Sequence, residues 1–176
     1  MAKRVLRVQL NKQSIQDALD YIEAYQKSIE DKMNILTMEL SKIGVEVINA
    51  TMMGVSPADR GEYEVKESIS KGKNSTSMTI TLSGDQVLFI EYSAGVTFGT
   101  TDFSPLPNNP DYGSDMGVGT YPDQTHAYDH TGWWYKDKYG TSQHTYGVSA
   151  RAPMYHADME MRAKIVSIAK EVFNDG

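Results

Sequence analysis

The sequence predicts an α+β fold. A long N-terminal helix, straight or kinked, and a C-terminal helix pack on one face of a small antiparallel sheet, and a long extended loop is added to them. Three observations carry that expectation. Apolar residues recur at alternating spacings of four and three from Ile15 to Val47. Runs of period two follow between Tyr63 and Leu82. A second helical stripe runs from Met154 to Val172. A chain of 176 residues with 40 % hydrophobic content can build one core, so a single domain over 1–176 is expected.

Leu6, Val8 and Leu10 alternate with Arg7 and Gln9, the pattern of a short half-buried strand. The long stripe comes next: Ile15, Leu19, Ile22, Ile29, Met33, Leu36, Leu40, Ile43 and Val47, broken only at Gln26. It describes one helical face held over about five heptads. Asn11 or Ser14 suits its N-cap, Asp17 sits in the first turn as the dipole prefers, and Gly54 with Pro57 ends it near Met52 or Met53. The pattern fits one helix, or two meeting between Gln26 and Asn34. A strict heptad also suits a coiled coil, but an amphipathic helix lying on a sheet or a partner helix is favoured.

Ser56 to Gly61 is a turn-rich connector. Tyr63–Ile69 and Met78–Leu82 alternate as strands, with a turn at Lys71–Asn74 between them. Gln86–Tyr92 is an apolar run with the composition of a buried strand. Gly84-Asp85 before it suggests a hairpin that pairs it antiparallel with Met78–Leu82. Farther on, Gly132–Tyr135 and Gln143–Tyr146 can form a second hairpin, with Trp133 and Tyr135 on one face and Trp134 on the other. Pro153 is well placed at the first position of the last helix, whose stripe is Met154, Met161, Ile165, Ile168 and Val172.

Between the Gln86–Tyr92 run and Pro153 lie about sixty residues rich in Gly, Pro, Asp, Thr and aromatic residues, too long a structureless excursion for a compact domain unless it is used. The part from about 97 to 130 reads as an assembly loop. Phe98, Phe103, Tyr112, Tyr121 and Tyr128 punctuate it as candidate interface anchors, joined by Trp133, Trp134, Tyr135 and Tyr146 from the hairpin. Protein contact and packing are favoured for this cluster over stacking on sugars.

Composition narrows the function classes. A net charge of -6 opposes general or sequence-specific nucleic-acid binding. With no cysteine there is no disulfide framework and no thiolate metal site. The N-terminus lacks the apolar stretch of a signal peptide, and no apolar run is long enough to span a bilayer. Ten methionines and eleven tyrosines lean toward contact surfaces. His126 and His130 stand four apart, but in loop-like sequence without the Glu of the metalloprotease helix. His144 and His156 read as solvated histidines. Asp102, Asp111, Asp115 and Asp123 do not match the calcium-loop spacing. Ser93-Ala94-Gly95 is not a nucleophile elbow, and there is no phosphate-binding loop. No catalytic residue, metal or cofactor is expected.

Phe89-Ile90-Glu91-Tyr92-Ser93-Ala94-Gly95-Val96 resembles the (V/I)E(F/Y)GTG signature of the tailed-bacteriophage tail-component family, the tail-completion or neck proteins. Pro57-Ala58-Asp59-Arg60-Gly61 followed by Ser68-Ile69 resembles that family's P-x-D-T-G turn and S-I pair. Gly119-Thr120-Tyr121-Pro122, Gly132-Trp133-Trp134-Tyr135 and Ala152-Pro153-Met154-Tyr155 stand in the family's order. Arg60 replaces the usual Thr, and Ser93-Ala94 replaces Gly-Thr. The resemblance implies a structural virion component, not an enzyme. It would be made in the bacterial cytoplasm and assembled at the head–tail junction. Its partners would be copies of itself in a sixfold ring, with neighbouring neck, tail-terminator or tail-tube proteins. A carbohydrate-binding or cell-wall-acting module using the Trp and Tyr cluster is the alternative.

Overall fold

The computed structural model describes residues 7–72, 75–93, 129–137, 139–148 and 150–174. Helix α1 spans Lys12–Met53 as one uninterrupted element of 42 residues, so the stripe is one helix and not two meeting between Gln26 and Asn34. Asn11 is its cap: the Asn11 side chain accepts the Ser14 N–H at 2.8 Å. The Ser14 hydroxyl accepts the Gln9 N–H at 2.9 Å. These bonds engage the stretch expected to be a strand. Residues 7–10 are not in a strand, and Val8 and Leu10 are exposed; among the described residues no strand pairs with them. Leu6 lies outside the described residues. Asp17 falls beyond the first turn and accepts from the Gln13 amide at 2.7 Å.

After Gly54, the expected irregular connector holds a single helical turn, α2 at Pro57–Arg60, capped by Ser56. Gly61 follows at φ +64°, the left-handed region in which glycine is least strained. Strand β1 (Tyr63–Lys71) then pairs antiparallel with β2 (Thr76–Gly84), in register from Tyr63 opposite Gly84 to Lys71 opposite Thr76. This corrects the expected pairing, in which β2 joined Gln86–Tyr92. That apolar run is instead helix α3, Val87–Tyr92. Short apolar runs fit either element, and here the buried set decides: Val87, Ile90 and Glu91 lie on one side of a turn while Leu88 is exposed.

The second hairpin forms as expected, β3 (Trp133–Lys136) against β4 (Ser142–Thr145). Helix α4 spans Pro153–Asn174 and begins on the proline. Ile165 of its expected stripe is exposed, while Met154, Met161, Ile168 and Val172 are half-buried. Asp158 and Glu160 bond within the helix, to Arg162 at 2.7 Å and Lys164 at 3.0 Å.

The core joins the C-terminal half of α1 to the hairpin, α3 and α4. Ile48, Met52, Val55, Ile90 and Ala157 are buried together, ringed by Val47, Tyr63, Val65, Ile80, Leu82 and Met154. Three polar contacts pin α1 along the hairpin: Thr76 to Asn34 at 2.6 Å, Ser41 to Glu67, and Tyr63 to Asn49 at 3.2 Å. Gly44 makes the close approach possible, since a Cβ there would stand 2.7 Å from Ile80 Cδ1 and 2.9 Å from Met161 Sδ. Helix α4 runs antiparallel to α1: Met161 meets Gly44 and Phe173 lies near Lys32, 6.0 Å from ammonium to ring centroid.

The buried face of α1 is Leu36, Ser41, Gly44, Ile48 and Met52. It lies one position round from the expected Leu40, Ile43 and Val47, which are half-buried. Ser41 and Gly44 are small, and Glu67, Ile80 and Met161 close on that side of the helix, so the core face follows them rather than the apolar row. The N-terminal half of the row is a larger departure. Ile15, Leu19, Ile22 and Met33 are exposed by 45, 49, 52 and 42 %, because α4 ends at Asn174, near the level of Lys32. Residues 12–28 of α1 thus reach past it by roughly 25 Å at 1.5 Å per residue.

Candidate interaction site

The aromatic hairpin is built around two glycines and an aspartate. Gly132 has φ +74°, and a Cβ there would come within 2.3 Å of the Thr145 carbonyl oxygen and 2.8 Å of His144 Cε1. Only glycine lets the entry of β3 close on β4. At the turn the Asp137 carboxylate accepts the N–H groups of Tyr139 and Thr141, each at 2.9 Å, and the Gln143 amide at 3.4 Å. The Thr141 N–H, then Tyr139 and Gln143, favour the ionised form and outweigh desolvation, so the Asp137 carboxyl sits below the ordinary aspartate range. Gly140 supplies the turn's left-handed residue at φ +80°.

The strand alternation sorts the aromatics. Trp133 and Tyr135 are half-buried on one face, and Trp134 is 69 % exposed on the other. Trp134 lies opposite His144 in the register, their ring centroids 5.0 Å apart edge to face. His144 makes the same contact with Tyr146 at 4.9 Å. Trp134, His144 and exposed Tyr146 therefore form one ladder of rings on the open face. Such ladders hold large apolar area in fixed rotamers, which suits contact with a partner.

A second arrangement fixes how the elements around the excursion meet. Helix α4 begins on Pro153, which has no N–H, so its first free donors are Met154 and Tyr155. The Glu91 carboxylate takes both, Oε2 from Met154 at 3.0 Å and Oε1 from Tyr155 at 3.2 Å. The Ile90 carbonyl takes Arg151 N–H at 2.7 Å and Ala152 N–H at 3.3 Å. The clamp is 5 % exposed at Glu91. Two non-glycine residues beside it have positive φ, Ser93 at 74° and Ala152 at 44°, both buried. Ser93, with ψ 167°, occupies a region taken almost wholly by glycine.

Of the expected interface residues, Trp133, Trp134, Tyr135 and Tyr146 come together in the hairpin. Phe98, Phe103, Tyr112, Tyr121 and Tyr128, and with them His126 and the Asp102–Asp123 series, lie outside the described residues. His144 was readable only as a solvated histidine, and its place in the ladder follows from the register. Glu91 could have been noticed as a lone carboxylate within an apolar run. Among the described residues no three His, Cys, Asp or Glu side chains are grouped to hold a metal ion, and no helix is long and apolar enough to cross a membrane. No family model, curated protein or solved structure matches this chain.

Proposed function

We propose that this chain is a structural component of a tailed-bacteriophage particle, a tail-completion or neck protein that works at the head–tail junction by binding other proteins rather than by catalysis. The observation that carries this reading is the clamp. The Glu91 element and the Ala152–Tyr155 element are two of the stretches in which the chain resembles that family, and they bond to each other directly. The positions that depart from or keep the pattern are consistent with it: Ser93 stands where the pattern has glycine and holds a glycine-like conformation, and Gly61 keeps its turn at φ +64°. The exposed rings of Trp134 and Tyr146 and the exposed apolar row of α1 supply surface for neighbouring subunits.

The partners proposed are further copies of the chain in a ring and the adjoining neck, terminator or tube proteins. Disrupting the gene in the phage that carries it, then imaging the lysate by electron microscopy, tests the reading. Separate heads and tails are expected, and intact infectious particles would overturn it. The Trp134–His144–Tyr146 ladder also favours a second reading, a carbohydrate-binding module. That reading predicts selective signal on a glycan array, lost in Trp134→Ala.

A further inference from the structure

We infer that the N-terminal overhang of α1 pairs with the same segment of further copies of this chain, as a parallel, in-register coiled coil of more than two strands. This inference stands on the geometry of α1 and is independent of the head–tail reading.

The overhang needs a cover. Residues 12–28 stand beyond the end of α4 and carry Ile15, Leu19 and Ile22 about half exposed along one side. A helical segment of that length is marginal in water without packing on its apolar face. The row runs on through Ile29 and Met33 to Leu36, which is buried, so the open seam is continuous with the one already used inside the domain.

The residues along the seam say what covers it. In heptad terms Ile15, Ile22 and Ile29 take d, and Leu19, Gln26 and Met33 take a. Antiparallel helices set each a position against a d position. Every d position here is isoleucine, so an antiparallel copy would bury Gln26 against Ile15, Ile22 or Ile29 without a polar partner. Parallel helices in register set Gln26 against its own equivalent, and two glutamine side chains each offer a donor and an acceptor to the other. A single polar a position is the device that fixes register in such assemblies. The flanks agree. In the parallel arrangement Glu23 faces Ala18 of the next helix and Glu30 faces Tyr25, so no like charges meet. The partner that matches this seam residue for residue is another copy. Leucine at a with isoleucine at d favours more than two strands.

Sedimentation of the full chain over a concentration series gives the first test. The parent is expected to exceed the monomer mass of 19.6 kDa at least threefold. Ile22→Asp, at a half-exposed position, is expected to run as a monomer with an unchanged near-ultraviolet dichroism spectrum. A monomeric parent would mean that a different partner covers the face, and an oligomeric, folded Ile22→Asp would mean that assembly uses another surface; either overturns the inference. Gln26→Cys gives the second test and does not depend on the first variant. The parent has no cysteine, so oxidation can link chains only at this position. Disulfide-linked pairs are expected, and an oligomer that yields none is antiparallel or staggered and refutes the arrangement.

Discussion

Removing the Glu91 carboxylate tests the clamp between α3 and α4. The group is 5 % exposed and accepts two amides, at 3.0 and 3.2 Å, from the first turn of a helix of 22 residues. Each buried amide left without an acceptor costs about 1–3 kcal/mol. Loss of a negative charge at a partly buried helix N-terminus adds up to about 2 kcal/mol. Glu91→Ala is therefore expected to cost about 3–5 kcal/mol, which for a chain of this size lowers Tm by roughly 6–20 °C. Glu91→Gln keeps one acceptor but turns an NH2 toward the other amide, so its loss should be smaller, about 2 kcal/mol. Glu64→Ala is the control. Its 2.8 Å pair with Lys66 is exposed, and such pairs contribute about 0–1 kcal/mol. Thermal and urea unfolding read all three. If Glu91→Ala unfolds within about 0.5 kcal/mol of the parent, the clamp does not hold α4 in place and the reasoning fails.

Ser93→Gly relieves backbone strain at φ 74°, ψ 167°, and is expected to raise stability by about 1 kcal/mol after the added chain entropy; an unchanged or lower Tm refutes the strain. Gly44→Leu forces side-chain atoms into the space held by Ile80 and Met161 and should destabilise by about 3 kcal/mol, whereas a neutral result in urea unfolding would mean that α1 does not approach the hairpin so closely. Asp137 has a depressed carboxyl pKa, so its contribution to the hairpin is present above the unfolded value of about 3.9 and is lost as pH falls through the lower folded value. Both tryptophans lie in β3, so an acid titration of tryptophan fluorescence should show this step, and an identical step in Asp137→Asn would refute the assignment.

The long-period features were legible in the sequence. The stripe from Ile15 to Val47, the Asn11 cap and the Gly54 stop define α1 almost to the residue, because period and caps are local properties of the chain. The Trp133–Tyr146 hairpin was readable for the same reason. What was not legible depends on partners distant in sequence. Val87–Tyr92 has an apolar composition that fits a strand or a helix, and its buried set of Val87, Ile90 and Glu91 is fixed by distant partners, with Glu91 reaching donors 63 and 64 positions later. Because that run is helical, the expected pairing of Met78–Leu82 with it does not form, and β2 pairs with β1. The core face of α1 was misplaced because Ser41 and Gly44 carry no apolar signal, yet their small size lets β2 and α4 close on the helix. Of the candidate site, the exposed side of the hairpin followed from alternation, while His144 and the clamp required the register and the long-range bonds.

The distribution of polar contacts along α1 separates two tasks for one helix. Asn34, Ser41 and Asn49 each bond to the hairpin, and each is about two turns from the next on one side. Such contacts contribute little net energy each but have strict geometry, so they set which turn of α1 meets which residue of β1 and β2. N-terminal to Asn34 no such bond to another element is recorded among the described residues. Two bonds there run along the helix, Gln13 to Asp17 and Gln16 to Asp20. The same apolar row thus runs from a half whose Ile15, Leu19 and Ile22 are about half exposed into a half that three polar pins hold to the hairpin. A helix whose packing within the domain ends while its heptad row continues has the pattern of a fold completed by a second chain, and Gln26, the one polar break in that row, stands in the unpinned half.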